Sequence, residues 1–460
     1  MSPLSICINT QTPLIQFLTS PETEPRPAAA NDPADLGALQ EGVDYRFSPG
    51  GVTRMVYPLV RRLLEKNILE EAHWVAFNPR GPRTVHVGDL TLHNVTIESN
   101  RMAGYGQVKE AIWGRIHEID AAERHDDLFW SEAFSEYAYY NRISAERIRA
   151  LDDKLDFDVF YVHDFQQLPV GYMLGTLKPK IFRWHIPFDA AVIPDQWRSL
   201  LTTYLNSYNV IVVSARRYAT SLTGLEPKGK IFRLYPYVDP EQYSHPGRAR
   251  VEALGERFGV TQTDHVALVV GRMDPIKGQD RAIEAFAILA GDYPSLKLVL
   301  VGNGSFSGSK SGLGLSKSAE WRARLEETVK TMGLEGRVVF TGHATQEELD
   351  CWYERCWFTI LPSVREGFGL VAVESWLHGK PTIVTERSGI AELIQNGRNG
   401  LLFDPENPAA LAQQMRLLLE AGSGGLRARL VRNGRATSKK CSLDAAEKAE
   451  GQLLAEVTEA

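Results

Sequence analysis

The chain is predicted to be an α/β protein of two large units, each built on a parallel sheet with helices on both faces. Three observations predict this. Its 460 residues allow two or three domains at roughly 100–200 residues each, and a hydrophobic content of 43% is enough to fill sizeable cores. Short β-branched, uniformly apolar runs alternate with helical patterns through both halves, as expected of strands buried on both faces. A turn-rich stretch from Tyr235 to Gly247, YPYVDPEQYSHPG, breaks the alternation once and marks the joint.

The elements follow in order. Leu4 to Ile8 reads as the first short strand, and the Pro/Ala-rich stretch from Pro21 to Asp35 as a loop or lid without a core of its own. Val52 to Asn67 has the apolar spacing of an amphipathic helix. Strands are expected at Val159–Val162, Ile181–Trp184 and Val210–Val213, then beyond the joint at Val266–Val270, Leu296–Val301, Val338–Thr341, Phe358–Leu361 and Thr382–Val384. Asn303 to Ser318 is Ser/Gly-rich and reads as a loop, and Ser438 to Ala460 reads as helix.

Composition removes several function classes. A net charge of −6 offers no general attraction for nucleic acid or anionic lipid. The N-terminus lacks a basic leader, and no apolar stretch approaches the ~18 residues of a membrane span, so neither export nor integral anchoring is expected. Cys7, Cys351, Cys356 and Cys441 show no metal-ligand spacing and suggest reduced thiols in a cytoplasmic protein. The sequence does not fix the oligomeric state, a homodimer being one option.

Two motifs in the second half carry chemistry. VGRMDPIKG supplies Arg272 and Lys277, and SVREGFGLVAVE supplies Glu366, the small-residue turn Gly367, Phe368, Gly369, and Glu374. A guanidinium fork and an ammonium suit the phosphate oxygens of a nucleoside-diphosphate leaving group, which gains negative charge as a glycosidic bond breaks. The turn lets backbone N–H groups approach a ligand at the start of the following helix. Glu366 and Glu374 are eight residues apart, a little over two helical turns, and suit sugar hydroxyls and a ribose. Each motif alone also fits ordinary surface charge after a strand or acidic residues at a helix start; together they point to a nucleotide-sugar site.

In the first half, VFYVHD and IFRWHIP place His163, Asp164 and His185 at the carboxyl ends of strands, the edge where open α/β sheets bind ligands. The bland alternative is a satisfied buried histidine. Tyr105 and Trp113 in YGQVKEAIWGRIHE and Gly50 and Gly51 in FSPGGV complete the candidates.

These segments carry a resemblance. GRMDPIKG, the E-x7-E run and SGIAELIQNGRNGLLFDPENPAALA resemble the carboxy-terminal domain of retaining GT-B glycosyltransferases of the family 4-like group. YVHDFQQLPVGYML, FRWHIPFD, the Tyr/Trp segment and the glycine pair resemble trehalose and trehalose-6-phosphate synthases. The resemblance implies a GT-B fold of two Rossmann-like domains facing across a cleft, residues 1–240 binding acceptor and 241–435 binding donor, with 436–460 returning to the first domain.

It further implies retaining transfer of glucose from a UDP-, ADP- or GDP-linked sugar, a substrate rather than a cofactor, with no metal ion at the diphosphate. Arg272 and Lys277 would hold the diphosphate, Glu366 with Gly367 to Gly369 the sugar, Glu374 the ribose, with Gly50 and Gly51 also on the donor. Tyr105, Trp113, Asp164 and His185 would meet the acceptor, and Asp164, His185, Arg272 and Lys277 would be catalytic. Trehalose-6-phosphate synthases carry an Arg after the Asn ending the first strand, where ICINT has Thr10, and another beyond the strand matching KLVLVG, where no Arg precedes Arg322. An unphosphorylated sugar or polyol acceptor is therefore expected. The alternatives are a sugar-phosphate synthase, with Arg46 or Lys310 substituting, and a non-catalytic nucleotide-sugar-binding protein.

Overall fold

The structure is a computed structural model that describes residues 2–18, 33–48, 51–79, 81–118, 127–302, 315–422 and 424–459. The chain divides into two compact units, one of Met1–Leu234 with Ala446–Ala460 and one of Tyr235–Ala445. Residues 235–240 and 436–445 thus lie in the second unit, outside the limits expected for it.

The first unit contains β1 (Leu4–Thr10), β2 (Ile15–Phe17), β3 (Ala34–Asp35), β4 (Tyr45–Phe47), β5 (Leu69–Phe77), β6 (Thr84–Val87), β7 (Leu90–Val95), β8 (Val159–His163), β9 (Lys180–Trp184), β10 (Val210–Val213) and β11 (Lys230–Arg233). Among the described residues its main sheet runs β11-β10-β9-β8-β1-β5-β7-β6-β3, while β2 and β4 form a separate ribbon. Every pairing in the main sheet is parallel except β6 with β7. The chain therefore steps one way from β1 and returns to its other side at β8. That reversal makes the boundary between β1 and β8 a switch point. All residues of β1 and β8 are buried, as a parallel strand covered on both faces requires.

Two expectations need correction. The stretch expected to run as loop to Asp35 ends in β3, which pairs with β6; residues 21–32 of it lie outside the described residues. The stretch expected as loop to Ser318 contains the start of the helix Leu315–Thr331, residues 303–314 being outside the described residues. Charged residues spaced one turn apart on that helix, such as Arg322 and Glu326, support it.

The last helix, Leu443–Thr458, begins with residues of the second unit and continues into Ala446–Ala460 of the first. Its Glu450 is 2% exposed and accepts from Arg183 of β9 at 2.5 Å and from the Tyr161 hydroxyl of β8 at 3.2 Å. Burial pushes the Glu450 carboxyl up, and the Arg183 guanidinium opposes that rise.

The second unit holds β12 (His265–Val270), β13 (Leu296–Val301), β14 (Val338–Gly342), β15 (Phe358–Leu361), β16 (Thr382–Thr385) and β17 (Leu401–Phe403), in the order β14-β13-β12-β15-β16-β17. This is the 3-2-1-4-5-6 order of the Rossmann sheet, with its switch point between β12 and β15. The apolar face of the helix Gln279–Ala290, including Ile283, Phe286 and Leu289, joins β12, β13 and β15 in one core. Each such fully buried side chain stabilises by about 1.5–3 kcal/mol. Among the described residues no helix is long and apolar enough to cross a membrane, and all four cysteines are free and buried.

Removing one partner of a buried ion pair strands the other charge. Glu450→Ala is expected to lower the stability of the first unit by about 3–5 kcal/mol, read as a shifted urea midpoint, while Arg183→Met combined with Glu450→Leu recovers most of the loss.

Candidate functional site

In the second unit the candidate residues lie on the two loops flanking the switch point. After β12 the chain turns through Asp274, whose side chain accepts from the Ile276 amide at 3.2 Å and opens a short 3-10 turn, Pro275–Lys277. Gly278 ends that turn at φ 65°, and a Cβ there would lie 2.1 Å from the Pro362 carbonyl oxygen. Only glycine both adopts this conformation without strain and lets the loop close against the end of β15. The Lys277 ammonium consequently reaches the Glu366 carboxylate at 2.6 Å, and the Ser363 hydroxyl donates to the same oxygen at 3.0 Å. Arg272 lies on the same loop, 3.8 Å from Asp274, with its carbonyl accepting from Gln279 at 2.6 Å.

The turn after Glu366 is held from its far side. The Gly389 amide donates to the Glu366 carbonyl and the Ile390 amide to the Phe368 carbonyl, at 3.2 and 2.9 Å. Phe368 buries its ring in the core, so its contribution to a ligand would be its backbone. Gly369, at φ 109°, leads into the helix Leu370–Leu377, which carries Glu374. Glu374 is 7% exposed, with one oxygen accepting from Tyr243 at 2.8 Å and the other from Tyr353 at 2.5 Å. It is thus deeper than Glu366. The geometry brings Arg272, Lys277, Glu366 and the 367–369 turn together at the switch point, with Glu374 one helix further in.

In the first unit His163, Asp164 and His185 converge at the carboxyl ends of β8 and β9. His163 Nδ1 and His185 Nε2 are 3.0 Å apart, and the His185 amide donates to Asp164 at 3.4 Å. Burial, the His163 ring and the Arg183 guanidinium hold His185 well below the usual imidazole range; burial and Arg183 do the same for His163. Two neutral rings share one N–H between them, as this contact requires. Asp164 sits at φ 68° and ψ 164°, a region occupied almost only by glycine, so its backbone is strained by about 1–3 kcal/mol. Burial pushes its carboxyl up to about 7, against the pull of amide hydrogen bonds from Phe165 and His185.

The other candidates differ. Tyr105 is 2% exposed and its hydroxyl has no hydrogen-bond partner among the described residues, with the Tyr140 ring at 4.8 Å. Trp113 packs partly buried against the first unit's core, its ring 3.9 Å from that of His117. Gly51 is the exposed first residue of the helix Gly51–Glu65, and Gly50 lies outside the described residues, as does Lys310.

Asn9 was not among the expected site residues. Its Oδ1 is buried beside β8 at the switch point without a partner among the described residues, as is His163 Nε2, and buried polar atoms in that condition call for water or a ligand.

Comparisons with known proteins bear on the family and the fold. Residues 252–437 match the family model Glycosyl transferases group 1. D-inositol 3-phosphate glycosyltransferase of Streptomyces avermitilis is 31% identical over 190 residues, which is 41% of this chain and 39% of that protein. The chain thus matches well under two thirds of that curated relative's length. Across 98% of its length the chain has the fold of trehalose-6-phosphate synthase OtsA (TM-score 0.75, 15% identity, 99% of that chain). The same share superposes on HepE of Anabaena in complex with UDP and glucose, with TM-score 0.66, 16% identity and 99% of that chain covered. The fold is therefore that of the GT-B glycosyltransferases.

The raised carboxyl of Asp164 has a thermodynamic sign. Its folded pKa of about 7 exceeds the ordinary 3.8, so the folded state holds a proton the unfolded state has lost, and stability falls as pH rises through that window. Asp164→Asn should melt above the unmodified protein at pH 8 and close to it near pH 4, as thermal midpoints across that range will test.

Proposed function

Given the glycosyl transferases group 1 domain in residues 252–437, we propose that this chain is a retaining glycosyltransferase that moves glucose from a nucleoside-diphosphate sugar to a small unphosphorylated sugar or polyol. The observation that carries the proposal is the meeting of Lys277, Glu366 and Arg272 at the switch point of a Rossmann sheet. Two cations within reach of carboxylates suit a ligand that brings phosphate and hydroxyl groups to one place.

Lys277 and Arg272 take the diphosphate oxygens, releasing part of their hold on Glu366 and Asp274. Glu366 then accepts from sugar hydroxyls, and the 367–369 turn lays its amides along the sugar. As the bond from the anomeric carbon to the phosphate oxygen breaks, negative charge grows on the leaving group, where the two cations stabilise it most. The acceptor oxygen bonds to the anomeric carbon on the same face, and its proton passes to the departing phosphate. Asp164 and His185 orient the acceptor.

The named activities of the relatives give a second reading some weight, since D-inositol 3-phosphate glycosyltransferase and trehalose-6-phosphate synthase carry phosphorylated compounds in their names. Against it, Thr10 is buried at the end of β1, its hydroxyl donating to the Thr12 carbonyl and accepting from Trp74 at 2.8 Å. Arg46 is occupied by Gln16 at 3.0 Å.

Mass spectrometry of products from UDP-, ADP- or GDP-glucose with glucose, glucose 6-phosphate, glycerol, glycerate or fructose decides between them. A neutral disaccharide or glucoside is expected, and a phosphorylated product would establish the second reading. Arg272→Ala and Lys277→Ala should each lower kcat by ~10²–10³, the size of a lost charge-stabilising donor. With Asp164 acting as the carboxylate, kcat/KM should rise as pH passes about 7, and Asp164→Asn should flatten that limb.

A further inference from the structure

A cluster apart from the residues assigned to the donor lies within the second unit. His245 Nδ1 and His378 Nδ1 approach the same Glu354 oxygen, at 2.7 and 3.0 Å, and one ligand atom from each of the three residues lies within 4.8 Å of the others. The far side of the His378 ring is completely buried; its Nε2 has no hydrogen-bond partner among the described residues and lies 3.5 Å from Asp350. Asp350 is itself fixed, accepting from the Ser244 amide and hydroxyl at 2.8 and 2.7 Å.

We propose that His245, Glu354 and His378 bind one divalent cation of the zinc type, with Asp350 orienting His378 from behind. Two imidazoles and a carboxylate form a donor set that suits zinc and its neighbours and not magnesium or calcium, which take oxygen ligands. A carboxylate behind a ligating imidazole fixes its tautomer and raises its basicity once the ring donates to it, and Asp350 lies on that side of His378, 3.5 Å from Nε2. The side chain of His245 is 65% exposed, so the fourth coordination position opens to solvent. Glu354 stands in the last turn of the helix Gln346–Arg355, whose carbonyl end favours a cation. The Lys380 ammonium opposes this from the Glu354 carbonyl oxygen, 2.7 Å away, where it neutralises one of those carbonyls.

The cation would join three separate pieces of chain: the segment of His245, the end of one helix, and the residue following the helix of Glu374. The Tyr353 ring stacks on His378 at 4.9 Å and donates its hydroxyl to Glu374, while Tyr243 donates to the other Glu374 oxygen. Binding at the trio thus steadies the support of that carboxylate. The metal site itself does not depend on the proposed sugar-transfer activity.

The test uses the full chain stripped with EDTA and titrated with Zn²⁺, read by calorimetry, native mass spectrometry and thermal midpoint. One Zn²⁺ per chain and a raised midpoint are expected, with no shift from Mg²⁺. His245→Ala, at an exposed position, and Glu354→Gln should fold normally by circular dichroism and bind Zn²⁺ more weakly by about 10–100-fold or more. Absence of stoichiometric binding, or variants that bind as tightly as the unmodified chain, would overturn the proposal and leave the trio as a hydrogen-bonded strap.

Discussion

A parallel strand buried on both faces can change direction only at its ends, and this constraint governs the rest of the molecule. It sends most connections through covering helices and gathers the turns that follow the strands along one edge. Where the strand order reverses, two adjacent turns run apart and leave room between them. In the second unit the reversal at β12 and β15 brings the loop of Arg272 and Lys277 against the loop of Glu366. In the first unit the reversal at β1 and β8 gathers Asn9, His163 and Asp164, with His185 one strand further on.

The charges at the second unit's edge are not there to hold the fold. Lys277 and Glu366 have side chains 23% and 16% exposed, and for a pair buried to that extent the cost of desolvation offsets the Coulombic gain. The carboxylates instead keep the two cations oriented on that edge. Glu374 behaves differently, because two tyrosine hydroxyls surround it. Its position is fixed by packing rather than by exchangeable ions.

Much of this was legible in residue order, for physical reasons. Runs such as HVALVV and VFYVH have no polar face and can only be central strands, so the β12 and β8 ends were identifiable, and with them Arg272, Lys277, His163 and Asp164. β5, with Glu70 and Glu71 near its start, and the short β6–β7 hairpin gave no such run and went unread. Twisted backbone leaves no mark in the sequence, so the strain at Asp164 and the carboxyl displaced by burial emerge only in three dimensions. The trio of His245, Glu354 and His378 was invisible for another reason: His245 and Glu354 are 109 residues apart and match no ligand spacing.

The return of the last helix to the first unit also sets a schedule for synthesis. Arg183 precedes its partner Glu450 by 267 residues, while the whole second unit is made between them. At about 5–20 residues per second, a ribosome needs roughly 13–53 s to cover that interval. Until then Arg183 waits in the first sheet for the carboxylate that completes its pair. The second unit, uninterrupted in sequence, is free to close first, so the half of the chain begun earlier is the one completed last.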